Sequence, residues 1–141
     1  MGTTHLLQPD RIVTPDAIAV DALVEVVDGI ITDVRLGRDA AAQPLAGTLL
    51  PGFVDLQVNG GGGVLFNDDP SPQAIDHIRD THARYGTIGI LPTVITDAPD
   101  VIDWAADAVI AHGQTDHVLG IHIEGPHISQ GRRGTHSAEL I

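Results

Sequence analysis

Three apolar segments of strand length alternate with two segments of helical periodicity between residues 49 and 124. The apolar segments are LLPGFVDLQVN, GTIGILPTVI and VLGIHIEG, and they are almost continuously apolar apart from polar residues near the ends of the first and third. Strands of this kind are typical of a parallel sheet whose faces are covered by helices. The β-α-β-α-β order therefore predicts an α/β fold.

Both predicted helices carry start and stop signals. Ser71 followed by Pro72 is an N-cap and a first-turn proline, and Gly86 is expected to end the first helix. Asp97-Ala-Pro99 opens the second helix, which Gly113 ends. The residues expected to face inward are Ile75, Ile78, His82 and Tyr85 in the first helix, and Val101, Ala105, Ala108 and Val109 in the second.

Residues 1–48 have a different, β-rich pattern. ALVEVV and IITDVR flank Asp28-Gly29, which is the strongest short hairpin signal, and RIVT supplies a candidate third strand. The stretch GRDAAAQPLAG is predicted to be a surface loop, because Pro44 and Gly47 interrupt it. We therefore expect a small β domain segment over residues 1–48 and the start of a larger domain over residues 49–141.

The composition excludes several functional classes. The chain has 19 acidic residues against seven arginines, no lysine and a net charge of −12, which disfavours binding to a nucleic-acid backbone or an anionic membrane. It has no cysteine, so disulfides, thiolate metal sites and cysteine nucleophiles are excluded. Neither a signal-peptide pattern nor an apolar run of ~20 residues is found, and we expect a soluble cytoplasmic protein.

Polar side chains collect near the ends of the first and third predicted strands. Because alternate residues of a strand share a face, Asp55, Gln57 and Asn59 point to one side of their strand. His122 and Glu124 share a face in the same way. The carboxyl ends of parallel strands are where α/β proteins build their active sites.

Glu124 is the most demanding of these residues, because it directly follows an apolar run. A buried ionised carboxylate costs several kcal/mol unless a cation or hydrogen-bond donors compensate it. With no lysine in the chain, a metal ion or an ion pair with Arg132 or Arg133 are the two alternatives. His122 is predicted to be a hydrogen-bonded core residue rather than a ligand, and Gln57 and Asn59 could instead satisfy each other. The helix-associated His77, His82, His112 and His117 are expected to be structural or exposed.

Three stretches, taken together, resemble the N-acetylglucosamine-6-phosphate deacetylases of the amidohydrolase superfamily. They are PGFVDLQVNGGGG, GTIGILPTVIT and GIHIEGPHISQGRRGTH, which occur in the family's order and are spread over residues 49–136. The resemblance implies the N-terminal portion of a (β/α)8 TIM-like barrel, with its first three β-strands, preceded by a segment of a small β-sandwich-type domain. A full barrel needs ~200 residues or more, so the barrel is expected to be incomplete in this chain.

The resemblance also implies roles for individual residues. Glu124 matches the ligand of a catalytic divalent metal, Thr135 and His136 match a segment that contacts the sugar phosphate, and Gln57, Asn59 and His122 would line the pocket. Gln57 and Asn59 stand where many amidohydrolases have two metal-binding histidines, so one zinc or iron ion per chain is expected. Two further metal-binding histidines and the catalytic Asp would lie beyond Ile141.

The implied activity is hydrolysis of the acetamide of N-acetylglucosamine 6-phosphate to glucosamine 6-phosphate and acetate. The expected partner is this amino-sugar phosphate, with no nucleic acid and no membrane, and the full-length protein would be a homodimer. The 141-residue chain alone is expected to be inactive and to fold poorly. Two alternatives remain open: another amidohydrolase-superfamily hydrolase, or a non-catalytic fragment that acts as a folding or interaction module.

Overall fold

The computed structural model describes residues 2–113, 115 and 117–141. The chain divides into two compact units, Met1–Pro51 and Gly52–Ile141. In the part that the structure describes, no helix is both long enough and apolar enough to cross a membrane.

The first unit is built on one five-stranded sheet, with β1 pairing antiparallel to β2 and β3 and parallel to β5. Its strands are β1 (Thr4–Val13), β2 (Ile18–Val20), β3 (Ala22–Val27), β4 (Ile30–Leu36) and β5 (Gln43–Leu49). The predicted hairpin is confirmed, because β3 and β4 pair antiparallel around Asp28 and Gly29, which have φ of 51° and 82°. The sandwich-type arrangement of this unit stays a prediction.

The prediction of a loop over GRDAAAQPLAG is wrong in its second half. Gln43–Leu49 form β5, which runs parallel to β1. Pro44 is compatible with this pairing because β5 bonds to β1 along one side only, and a proline is tolerated in an edge strand. Gly47, with φ of 99°, donates its N–H to Asp10 beside an irregularity in the β1 register, so it marks a local distortion and not the end of a strand.

The second unit contains a parallel three-stranded sheet in the order β10-β9-β6, with two helices. Its elements are β6 (Phe53–Val58), β7 (Gly60–Gly61), β8 (Val64–Leu65), α1 (Pro72–Ala83), β9 (Thr87–Ile95), α2 (Pro99–His112), β10 (His122–Glu124) and a 3-10 turn at Gln130–Arg132. The glycine run forms the small antiparallel hairpin β7–β8. A mixed α/β fold with parallel strands is therefore confirmed, whereas closure into a barrel stays a prediction.

The two helices begin where the sequence predicted. The Ser71 hydroxyl accepts a hydrogen bond from the Ala74 N–H at 3.1 Å, which is an N-cap contact. Gly113 caps α2 with φ of 79°. Ile75 and Ile78 are buried, but Tyr85 is 79% exposed, and its predicted inward orientation is wrong. The reason is that α1 ends at Ala83, so Tyr85 no longer follows the helical period.

One apolar core holds the second unit together between the sheet and the helices. Its buried members are Val58, Phe66, Ile75, Ile78, Ile90, Val94, Ala105, Ala108, Val109 and Val118. Full burial of a large apolar side chain contributes about 1.5–3 kcal/mol, so this cluster fixes how β6 and β9 lie against α1 and α2. The polar residues at the carboxyl ends of the strands are consequently held at one edge of the sheet.

Candidate functional site

Glu124 is the last residue of β10, and its carboxylate is contacted from two other parts of the chain. The Gln57 amide nitrogen Nε2 donates to Oε2 at 2.7 Å, and the His136 ring nitrogen Nε2 lies 3.4 Å from Oε1. Gln57 comes from β6, so its side chain reaches Glu124 across the intervening strand β9. The side chain of Glu124 is 31% exposed, so it is only partly shielded from solvent.

An ion pair of Glu124 with an arginine is not found among residues 2–113, 115 and 117–141. The Arg133 guanidinium instead donates to the backbone carbonyl of His136 at 2.8 Å. This contact fixes the segment that carries His136 and leaves the Glu124 carboxylate to the amide and the imidazole. Of the two sequence alternatives for Glu124, the structural ion pair is therefore wrong in the described part of the chain.

His136 is buried, with 6% of its surface exposed, and both ring nitrogens have a polar neighbour. Its Nδ1 lies 2.9 Å from the hydroxyl oxygen of Thr96, the residue that directly follows β9. The same hydroxyl lies 3.3 Å from the backbone carbonyl oxygen of Glu124. Thr135, which the resemblance paired with His136, is exposed.

The remaining predicted pocket residues are nearby along the same strands. His122 is half-buried, and its Nδ1 lies 2.8 Å from the Leu56 carbonyl oxygen, as expected for a hydrogen-bonded histidine. Asn59 is half-buried, and its backbone carbonyl accepts a hydrogen bond from the Phe66 N–H. A hydrogen bond thus joins Gln57 to Glu124, and the His136 ring approaches the same carboxylate at 3.4 Å. Asn59 and Thr135 stay predicted site residues.

Two residues at this edge were missed by the sequence reasoning, Thr96 and Asn67. Thr96 contacts both Glu124 and His136. It directly follows an apolar strand, and the same signal, a polar residue after an apolar run, had drawn attention to Glu124. The Asn67 side chain accepts from the Ile95 N–H at 3.0 Å and donates to the Ile95 carbonyl at 3.2 Å and to Asp97 at 2.9 Å. Because this asparagine binds the residues on both sides of Thr96, it fixes the end of β9.

The donors at this edge suit part of a metal site. A carboxylate and an imidazole are ligands that zinc and iron accept, whereas a carboxamide such as Gln57 is a poor one. Within the described residues, no cluster of three or more His, Cys, Asp or Glu side chains is placed to hold a metal ion. Glu124 and His136 are therefore donors of a suitable type, but the described residues do not make up a complete metal site.

The chain is similar in sequence to two deacetylases over most of its length. It is 40% identical over 135 residues to N-acetylgalactosamine-6-phosphate deacetylase of Shewanella sp. (strain ANA-3), which covers 89% of this chain and 34% of the relative. It is 36% identical over 121 residues to N-acetylglucosamine-6-phosphate deacetylase of Haemophilus influenzae, which covers 83% of this chain and 32% of the relative. No protein-family model matches the chain.

Solved structures give the same result for the fold. N-acetylglucosamine-6-phosphate deacetylase from Pasteurella multocida superposes with a TM-score of 0.85 at 28% identity, over 99% of this chain and 38% of that chain. The chain belongs to this deacetylase family. A variant of the Mycobacterium smegmatis deacetylase, in complex with N-acetyl-D-glucosamine-6-phosphate, superposes with a TM-score of 0.76 at 26% identity, over 99% of this chain and 37% of that chain.

Membership of the deacetylase family extends over both units, because the superposition covers nearly the whole chain. The chain spans about a third of the length of the curated relatives it matches. The Glu124, Gln57 and His136 group accordingly lies in a deacetylase-like part of the molecule, at the carboxyl ends of its parallel strands.

Proposed function

We propose that the complete protein carrying this sequence removes the acetyl group of N-acetylglucosamine 6-phosphate, giving glucosamine 6-phosphate and acetate. The observation that carries this proposal is the meeting of Glu124, Gln57 and His136 at the carboxyl ends of parallel strands, in a chain of the deacetylase family. An isolated deacetylase-like fold would be weaker support, because a fold hosts many functions and only the site specifies one.

A divalent metal ion is part of the proposal, and zinc or iron fits the ligand types. Such an ion polarises an amide carbonyl and lowers the pKa of a bound water. Glu124 would contribute one ligand to it, through the part of the carboxylate that is not covered by Gln57 and His136. Because Gln57 and Asn59 offer carboxamides and not imidazoles, we expect one metal ion per chain.

The chain's own residues would mainly position the reacting groups. Gln57 holds one carboxylate oxygen of Glu124 with a 2.7 Å hydrogen bond, which fixes the direction of the other oxygen. His136 is held from both sides, by Arg133 at its backbone and by Thr96 at its ring, so its Nε2 has a defined direction towards the Glu124 carboxylate. Holding a polar group in place before the substrate arrives avoids the cost of ordering it during the reaction.

The rest of the proposal concerns the molecule beyond these residues. The strands β6, β9 and β10 would be the first three of a (β/α)8 barrel, and the catalytic Asp and two further metal-binding histidines would come from later strands. We also propose that the complete protein is a cytoplasmic homodimer. The chain spans about a third of the length of its relatives, and three of eight barrel strands are a comparable fraction.

N-acetylgalactosamine 6-phosphate is a second candidate substrate. The 40% identity to the Shewanella enzyme, whose name specifies the galactose epimer, favours it. The two sugars differ in the configuration at C4 and carry the same acetamide and the same phosphate. The group around Glu124 would act at the acetamide in either case.

The test is an assay of amine release by the complete, metal-loaded protein with both sugar phosphates and with unphosphorylated N-acetylglucosamine as a control. We expect turnover of at least one sugar phosphate, little turnover of the unphosphorylated sugar, and loss of activity after treatment with a chelator. The ratio of kcat/KM for the two epimers assigns the substrate. Absence of amine release from both sugar phosphates would contradict the proposed function and would favour another amide substrate or a non-catalytic role.

A further inference from the structure

We propose that His82, assisted by His77, is a positioning residue that holds the glycine hairpin, residues 60–65, at the carboxyl end of β6. Through this hairpin the two histidines set the direction of Asn59, the predicted pocket residue that directly precedes it. The inference rests on the proposed function for its catalytic consequence, whereas the order of the hairpin can be tested without activity.

The glycine hairpin has few means of ordering itself. Its first strand and its turn consist of Gly60 to Gly63, which have no side chains to pack. A two-stranded hairpin is marginally stable on its own, and glycine loses more conformational freedom on ordering than any other residue. The order of the glycine run therefore depends on hydrogen bonds to its backbone.

Two histidines of α1 supply such hydrogen bonds. The His82 Nε2 lies 2.9 Å from the Gly60 carbonyl oxygen, and the His77 Nε2 lies 3.1 Å from the Gly62 carbonyl oxygen. Both distances are within the range of N–H···O hydrogen bonds. Because a carbonyl oxygen can only accept, each ring carries a proton on Nε2 and donates it.

The helix that carries both histidines is itself fixed. Ile75 and Ile78 of α1 are fully buried in the apolar core of the second unit. His82 lies in the last turn of α1 and is half-buried, whereas His77 is exposed. We therefore expect His82 to be the stronger of the two contacts, since water competes less with a partly buried hydrogen bond.

The glycines allow the ring nitrogens to come this close. A Cβ placed on Gly61 would lie 3.1 Å from the His82 Nε2. A Cβ placed on Gly62 would collide with the His77 ring and would lie 2.6 Å from the Thr81 hydroxyl oxygen. The glycine run and the two histidines are thus matched to each other.

The consequence for the proposed reaction concerns Asn59. Its neighbour Val58 is 2% exposed in the core, its other neighbour Gly60 is held by His82, and its own carbonyl accepts from the Phe66 N–H at 2.8 Å. The carboxamide of Asn59 can both donate and accept, so its direction decides which substrate group it can bind. A displacement of about 1 Å in a positioning group can lower the rate by about 100-fold.

The first experiment compares His82→Phe, which removes the donor and keeps a ring, with His82→Gln, which keeps a side-chain N–H. The matched control is His117→Phe, since the His117 Nδ1 makes the same kind of contact, 2.8 Å from the Ile88 carbonyl oxygen, near the opposite end of β9. In the complete protein we expect kcat/KM to fall by about 10- to 100-fold in His82→Phe, with His82→Gln and His117→Phe close to wild type.

The metal content of the same proteins separates positioning from loss of the metal site or of the fold. We expect His82→Phe to keep the metal content of wild type, because Glu124 is contacted by Gln57 and His136 and not by the hairpin. Kinetics of His82→Phe equal to those of His117→Phe overturn the inference. An equal loss in His82→Gln and His82→Phe overturns it too.

The second experiment needs no activity and follows hydrogen exchange of the Phe66 amide, which donates to the Asn59 carbonyl across the base of the hairpin. Local opening of the hairpin exposes this amide, so we expect faster exchange in His82→Phe than in wild type or His117→Phe. Unchanged protection overturns the inference. If the proposed function fails instead, the wild-type protein releases no amine, while the Phe66 amide still reports whether His82 holds the hairpin.

A glycine pair keeps the inference testable if His82→Phe does not fold. Gly62 and Gly63 both have positive φ, 61° and 87°, so an alanine at either position strains the backbone. Only the Cβ of Gly62→Ala collides with the His77 ring, whereas a Cβ on Gly63 meets nothing within 4 Å. We expect Gly62→Ala to lose more kcat/KM and more protection of the Phe66 amide than Gly63→Ala. Equal losses in the two variants overturn the inference.

Discussion

At the scale of single residues, the structure shows how a carboxylate is accommodated at the end of an apolar strand. Glu124 is compensated by an amide from Gln57 and an imidazole from His136, and no arginine of the described residues reaches it. Hydrogen bonds to a charged group contribute about 1.5–3 kcal/mol, enough to offset part of the cost of desolvating it. The Glu124 side chain nevertheless keeps 31% of its surface exposed.

Gly125 is expected to be intolerant of a side chain. Its φ is 101°, and an added Cβ would lie 1.9 Å from the Thr96 hydroxyl oxygen and 3.2 Å from the Thr96 Cβ. We expect Gly125→Ala to lower the free energy of unfolding by about 1–3 kcal/mol through backbone strain and displacement of Thr96. Gly131→Ala is the matched control, because a Cβ there meets nothing within 4 Å. Urea unfolding of both variants of the complete protein measures the difference, and equal stability would contradict this reading of the turn.

At the scale of elements, a charged contact joins the two helices. His112 is the last residue of α2, and its Nδ1 lies 3.0 Å from the Gly113 carbonyl oxygen while its Nε2 lies 3.1 Å from Asp76 of α1. The hydrogen bond to Gly113, followed by that to Asp76, raises the pKa of His112 above 6.5, although burial opposes the shift. The hydrogen bond from His112 and the charge of Arg79 lower the pKa of Asp76 below 3.8, against desolvation.

This contact should stabilise the protein in a limited pH range. His112 makes its full contribution to the free energy of unfolding below 6.5, its pKa in the unfolded chain. This contribution is lost as the pH rises through the raised pKa of the folded protein. The contribution of Asp76 is present above 3.8 and is lost as the pH falls through its lowered folded pKa. The contact is therefore strongest between about pH 4 and 6.5, and it amounts to less than about 1 kcal/mol because Asp76 is half exposed.

The measurement is the difference in unfolding free energy between wild type and His112→Gln at pH 5.5 and pH 8.5. We expect the destabilisation by His112→Gln to be larger at pH 5.5. His127→Gln serves as the control, since His127 is exposed. A destabilisation that grows towards pH 8.5 would show that the ring is neutral in the folded protein.

The elements differ in how far the sequence could predict them. The β3–β4 hairpin and both helices follow from local signals, since Asp28-Gly29, Ser71-Pro72 and Gly113 act within a few residues of themselves. The strand β5 could not be predicted, because its pairing with β1 is a tertiary contact that overrides the turn signals of Pro44 and Gly47. Tyr85 was misplaced for a local reason, since α1 ends two residues before it.

The candidate site was predictable by residue type but not by contact. Strand alternation placed Gln57 and Glu124 on the polar face of their strands, yet their hydrogen bond spans β9 and depends on the register of two parallel pairings. The role of Thr96 depends on the path of the segment after Glu124, which returns His136 to the end of β9. No periodicity in the sequence specifies that return.

At the scale of the whole molecule, the chain spans about a third of the length of the deacetylases it matches. The parallel strands, the Glu124 group and the family membership belong to the described residues, whereas the activity and the metal ion belong to the proposal. One side chain connects the described residues with the proposed metal ion, because Glu124 is the metal ligand that this chain is expected to contribute.

The most direct test is therefore the metal content and turnover of the complete protein with Glu124→Gln, compared with Glu139→Gln, a control at an exposed glutamate. Replacing a charged ligand by a poor one should remove most of the bound metal and most of the amine release, because zinc-type ions bind carboxylates and not carboxamides. We expect about one divalent ion per chain in wild type and Glu139→Gln, and far less in a folded Glu124→Gln. A folded Glu124→Gln protein with undiminished metal and turnover would contradict the account.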